Sequence, residues 1–177
     1  MVIASFSTYL LVFGGAIRLY HLLKMFAQVS DVTLLAYRSW SEDGDNIGDL
    51  RTFCDDVLLI DANPIHTQKK SLLQLRSLFS PRTFQYYAHY SPQFQRALDS
   101  LVARKRFDCI VTDFSQMAYF SYAATPTLKI LDLHNIEHEL LQRRADTETH
   151  RLKKAALGIE AKKFARDELR LCQQFDL

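Results

Sequence analysis

The chain alternates between short, almost wholly apolar runs and longer stretches in which apolar residues return every three or four positions. Residues 32–37, 57–60, 109–112 and 128–133 are runs of the first kind. Such brief, unalternating runs are what strands buried on both faces of a parallel sheet look like. Residues 2–6 are a weaker candidate for a first strand. Between the runs lie helical patterns. After Gly14 and Gly15, Leu19, Leu22, Leu23 and Phe26 recur at i, i+3, i+4 and i+7, one face of a helix. Ser91-Pro92 has N-cap and first-turn chemistry, and Phe94, Leu98, Leu101 and Val102 then supply an apolar stripe. Residues 135–144 and 152–172 read as two further helices, and the acidic stretch 39–49 as a loop.

Strands alternating with helices predict an α/β fold, a doubly wound parallel sheet with right-handed crossovers. In the strand order 3-2-1-4-5 the switch point lies between the first and fourth strands, and ligands bind beyond the carboxyl ends of the strands there. Three segments fall on that rim: Phe13-Gly14-Gly15 after strand one, Asp113-Phe114-Ser115 after strand four, and His134-Asn135 after strand five.

Composition narrows the picture without redirecting it. The 177 residues are 48% hydrophobic and 24% charged, values that exclude wholesale disorder and suffice for one packed domain. A net charge of +2, with no compact basic stripe, gives no argument for nucleic acid. Charge is nevertheless uneven: residues 39–61 carry seven acids against Arg51, and residues 143–170 nine Lys/Arg against five acids. The second region is either a solvated helix face or a basic face for anionic lipid or a phosphate-bearing substrate. Cys54, Cys109 and Cys172 form no C-x-x-C pair, as expected of reduced cysteines in a cytoplasmic protein. The apolar residues 2–17 lack a basic leader and are too short to span a bilayer, so they read as strand and loop rather than as a signal peptide.

Chemistry can be assigned to a few positions. Gly14 and Gly15, opening a helix after a strand, suit the approach of an anion to free backbone N–H groups, or simply make a tight turn. Arg18 can add a charge-assisted contact to a phosphate or carboxylate, or be an ordinary surface arginine. Asp113 can bind sugar hydroxyls or act as a base; its bland alternative is helix capping. His134 and Asn135 at a strand's end have little packing reason to be there. His134 to His138 also spells H-x-x-E-H, a zinc-hydrolase motif that requires both histidines on one helix, whereas the apolar strand runs straight into His134. Phe84, Tyr86, Tyr87 and Tyr90 can stack on sugar rings or belong to the core.

At these residues the chain resembles the N-terminal domain of glycosyltransferase family 4. The segments that carry the resemblance are the Gly14-Gly-Ala-Ile-Arg18 helix start, Asp31-Val-Thr-Leu-Leu35, Phe107-Asp-Cys-Ile-Val111 with Phe114-Ser-Gln-Met117, and the Asp132-x-His-Asn-x-Glu137 stretch. The resemblance implies a GT-B enzyme in which two Rossmann-like domains face a cleft. The N-terminal domain meets the acceptor, a glycan or lipid-linked sugar, and the C-terminal domain holds a nucleotide sugar. Transfer would be retaining and metal-independent, with no cofactor and with peripheral contact at the inner membrane face. By position, Gly14 and Gly15 match the loop approaching the donor diphosphate, and His134, Asn135 and Glu137 match the cleft-rim motif. Asp113 falls where many relatives carry a cleft-facing histidine. Residues 1–177 would thus be an acceptor-side half, inactive without a donor-binding domain or partner chain. The alternatives are a non-catalytic Rossmann-like module binding a ligand or partner, and the zinc hydrolase.

Overall fold

The computed structural model describes residues 1–5, 14–38, 48–61, 64–120, 122 and 127–177. Five strands, β1 (Val2–Ala4), β2 (Thr33–Tyr37), β3 (Asp56–Ile60), β4 (Cys109–Asp113) and β5 (Leu128–Asp132), form one sheet in the order β3-β2-β1-β4-β5. Every pairing is parallel. This is the doubly wound, Rossmann-like arrangement that the strand–helix alternation predicts. The first strand ends at Ala4 rather than at residue 6, and the expected loop at 39–49 lies mostly outside the described residues, as do residues 6–13.

The apolar runs are continuous because the sheet is covered on both sides. Ile3, Leu35, Tyr37 and Ile110 face one core together with Phe94, Leu98 and Phe120. The alternate residues Val2, Ala4, Leu34 and Ala36 face the other, with Leu19, Leu23 and Leu50. Successive strand residues thus serve opposite layers, the period-2 rule applied to a sheet with no wet face.

Helix α1 (Gly14–Phe26) covers the second layer through Ala16, Leu19 and Leu23. Four short helices lie between β2 and residue 92. These are α2 (Gly48–Arg51), α3 (Pro64–Thr67), α4 (Lys70–Leu78) and α5 (Phe84–His89), none of them foreseen. Helix α6 (Pro92–Arg104) follows the sequence signals closely. Ser91 is its N-cap, its side chain accepting from Gln93 N, and Phe94 and Leu98 are fully buried. A 3-10 turn (Ser115–Tyr119), α7 (Glu137–Thr147) and α8 (Arg151–Cys172) complete the chain.

Two of the four clustered aromatics, Tyr86 and Tyr90, pack against the core and remain half-buried. Tyr86 stacks on Tyr90 with ring centroids 5.0 Å apart, and Tyr90 on Phe120 at 5.3 Å. Both tyrosines pack against a third core built from Ala118, Tyr119, Phe164 and Leu171. On α8, Leu152, Ile159 and Leu169 remain exposed. Leu177 donates to the carbonyl of Lys129 and accepts from Leu131 N, the hydrogen-bond pattern of a parallel pair on the outer edge of β5. Among the described residues no helix is long and apolar enough to cross a membrane.

Candidate functional site

The register of β4 and β5 makes the site. Asp113 and Asp132 are paired across the last rung of the two strands, so two carboxylates sit side by side on the C-terminal rim. Like charges this close cannot both ionise in a poorly solvated place without a cation or a shared proton. The chain supplies both. Arg18, in the second turn of α1, reaches over the rim and grips Asp132 through two contacts of 2.7 Å, a bidentate fork. Asp113, 1% exposed, pairs through Oδ1 with His134 Nε2 at 2.9 Å, and the same nitrogen lies 3.9 Å from Asp132.

Burial, reinforced by the Asp132 charge, lifts the Asp113 carboxyl from 3.8 to about 7, with Arg18 opposing. Burial and the Arg18 charge both lower the His134 imidazole from its ordinary value. Each group is thereby pushed toward its neutral form, and the hydrogen bond between them can form in either of two ways. With Asp113 ionised, His134 donates Nε2–H inward and leaves the Nδ1 lone pair as an acceptor. With Asp113 protonated, the imidazole accepts at Nε2 and carries its proton on Nδ1. The second Asp113 oxygen is buried and has no hydrogen-bond partner among the described residues.

Phe114, next along the chain, has φ 73° and ψ 145°. A bulky residue there costs on the order of 1–3 kcal/mol, and such strain concentrates at functional sites. Its ring lies 3.7 Å from that of His134, tilted by 36°, so the strained turn braces the imidazole against the Asp113 carboxylate.

The sequence candidates separate into three groups. Arg18, Asp113 and His134 come together, joined by Asp132, which sequence reasoning used only as part of a motif. Its place at the end of an apolar run was the available signal. Asn135 and Glu137 form a neighbouring pair, Asn135 Nδ2 lying 3.5 Å from a Glu137 oxygen. Burial and nearby Glu168 raise the Glu137 carboxyl above its usual range, and the Asn135 contact works against that. Gly14 opens α1 into free space, where a Cβ would meet nothing within 4 Å among the described residues. Packing therefore does not demand glycine at this position. Phe13 lies outside the described residues.

Two sequence readings are corrected. Asp113 caps no helix: the 3-10 turn begins at Ser115, its N-cap position is Phe114 with no side-chain cap, and the carboxylate serves His134 instead. The seventh helix starts at Glu137 rather than at residue 135; the two histidines of H-x-x-E-H do not share a helix, as the strand running into His134 predicts. His138 turns away to Glu168, its Nδ1 2.5 Å from that carboxylate. Glu168 also accepts from the first α7 amides, Glu137 N at 3.3 Å and His138 N at 3.5 Å, which explains the later start. Among the described residues, those that could hold a cation are Asp113, Asp132 and His134, whose ligand atoms lie within 4.8 Å of one another. A cation there would compete with the Arg18 fork, which occupies both Asp132 oxygens. No family model matches the chain, and neither does any curated protein or solved structure.

Proposed function

We propose that this chain is the acceptor-side domain of a retaining GT-B glycosyltransferase, moving a sugar from a nucleotide sugar to a glycan or lipid-linked acceptor. The observation that carries this reading is the Asp113–His134 pair at the sheet's switch point, with Arg18 clamped on Asp132 beside it. A carboxyl poised near pH 7 against an imidazole can accept from or donate to a sugar hydroxyl with little change in geometry. Arg18, partly exposed, and the opening turn of α1 give an anion-friendly margin to the same rim. Supporting it further is the resemblance at Gly14-Gly15 and at Asp132-x-His134-Asn135-x-Glu137. Transfer in this architecture needs a second Rossmann-like domain to orient the nucleotide sugar and exclude water. The 177 residues would therefore not turn over alone.

The test has two arms. Soluble methyl glycosides titrated into the isotope-labelled chain should bind weakly and shift resonances of Arg18, Asp113 and His134. His134→Gln should abolish the shifts at Arg18 and Asp113 while its amide keeps a hydrogen-bonding partner for the Asp113 carboxyl. No nucleotide sugar should yield product with the chain alone, and a fused donor-binding domain should restore transfer. Turnover by the isolated chain, or glycoside shifts confined to other surfaces, would overturn the proposal. Glycoside binding at this rim without transfer in any fusion would favour the second reading, a non-catalytic sugar-binding module. That Arg18 and His134 are both already engaged by the carboxylates of Asp132 and Asp113 is the observation that favours it.

A further inference from the structure

The rim of β4 and β5 sets two carboxylates side by side, and among the described residues Arg18 forks onto only one of them. Its guanidinium takes both oxygens of Asp132. Asp113 has His134 Nε2 on its Oδ1, while its Oδ2 is buried and lacks a hydrogen-bond partner among the described residues. The residue is 1% exposed, so bulk water does not cover that oxygen. An orphaned carboxylate oxygen at such burial is costly unless something positive meets it.

The three side chains make a mixed donor set of two carboxylates and one imidazole. One ligand atom from each lies within 4.8 Å of the others. In a transition-metal shell with bonds of about 2.1 Å, neighbouring donors stand about 3.0 Å apart if octahedral and about 3.4 Å apart if tetrahedral. His134 Nε2 and Asp113 Oδ1, at 2.9 Å, already have the first spacing. Asp132 Oδ2 lies 3.9 Å from that nitrogen, so it must close by about 0.5 to 0.9 Å. The donors are also held in place. The β4–β5 register sets Asp113 against Asp132, and the Phe114 amide donates to the Asp132 carbonyl at 3.0 Å. The Phe114 ring lies 3.7 Å from the imidazole. Arg18, by contrast, is 46% exposed, and a guanidinium so placed can leave its carboxylate for water at small cost.

We propose that Asp113, Asp132 and His134 are the ligands of a divalent transition-metal ion of the manganese or zinc type, which takes the place of the Arg18 guanidinium on Asp132. The ion's two charges match the two carboxylates, and it meets the buried carboxyl that Arg18 leaves unanswered. The imidazole nitrogen selects the metal class. Calcium prefers an all-oxygen shell and magnesium dehydrates reluctantly, so both fit this donor set less well. His134 binds through Nε2 and carries its proton on Nδ1. The remaining coordination positions are left to water or to oxygens of a ligand on the rim. The site shares only His134 with the H-x-x-E-H stretch, because His138 is engaged by Glu168. The inference goes beyond sugar transfer and does not rest on it, since the ion is tested in the absence of any sugar.

The experiment is a titration of Mn²⁺ alone into the chelator-treated, isotope-labelled chain, read by paramagnetic broadening and by the electron-spin signal of the free ion. One ion should bind per chain, with broadening centred on the amides of Asp113, Asp132 and His134, and Zn²⁺ should displace it. Asp132→Asn should weaken binding by at least about ten-fold, and His138→Gln should leave it unchanged. Arg18→Ala should tighten binding several-fold because the competing cation is gone. This last variant keeps the test decisive should Asp132→Asn fail to fold, and its sign is one that a merely structural role for Arg18 would not give. No saturable binding, broadening centred elsewhere, wild-type affinity in Asp132→Asn, or an affinity equal or weaker in Arg18→Ala overturns the proposal. Glycoside titrations run in chelator test the sugar reading separately, so either can fail without the other.

Discussion

Asp113 is where a single residue's chemistry can be weighed. Its carboxyl in the fold, at about 7, lies above the ordinary 3.8, so the native state keeps a proton that the unfolded chain releases between those values. Its stabilising contribution is complete below the lower value and is lost as pH rises through the upper one. His134, held below its ordinary 6.5, works the other way, its contribution fading as pH falls through the folded value. Asp113→Asn removes the first effect and keeps a hydrogen-bonding partner for the imidazole. Measured by urea denaturation, the variant should gain on wild type as pH is raised, by up to roughly 4 kcal/mol for a shift of this size. A difference independent of pH would show that Asp113 is not buried against Asp132 as described. The pairing itself was only half legible in the sequence. Asp113 and His134 could be marked as strand-end residues, but their contact depends on the β4–β5 register, and no spacing encodes a register between strands this far apart. The positive φ at Phe114 left no local sign either, since nothing in a phenylalanine announces it.

Among the elements, those with one apolar stripe or one continuous apolar run were readable, and those packed by side chains of both kinds were not. Helix α6 announced itself through Ser91, Pro92 and a clean stripe. Helix α4 did not, because Leu72, Leu73, Leu75 and Leu78 surround it and blur the 3.6-residue period. The start of α7 was displaced for a different reason, a cap from another helix. Glu168 on α8 accepts from two first-turn amides of α7 and from the His138 ring, and it is nearly fully buried. Removing it with Glu168→Ala leaves those donors unpaired, at a cost of about 1–3 kcal/mol. The expected signature is a lower melting temperature together with faster amide exchange over Glu137 to Leu141. A melt unchanged by that substitution would show that α7 and α8 are joined by apolar packing alone.

At the scale of the molecule, the sheet's two covered faces and its strand order should produce a gradient of local stability. β1 is the hinge of the gradient, hydrogen-bonded to β2 on one side and β4 on the other, with Ile3 and Ala4 wholly buried. Among the described residues β3 pairs with β2 alone, and its residues are exposed or only partly buried. β5 has β4 on one side and, on the other, the bonds from Asp176 and Leu177. Local openings draw on regions with few buried contacts, whereas central strands exchange only when the whole domain unfolds. Native-state hydrogen exchange should therefore find the amides of β1, β2 and β4 slowest, with those of β3 faster by about ten-fold or more. Denaturant should accelerate the central amides steeply and the β3 amides shallowly, because only the former report global exposure of surface. The candidate site spans this gradient. Asp113 ends a central strand, Asp132 an outer one, and Arg18 ties the second back to α1. Breaking that tie with Arg18→Ala should speed exchange in β5 and leave β1 unchanged. Equal acceleration in both strands would mean that the clamp supports the whole sheet rather than its rim.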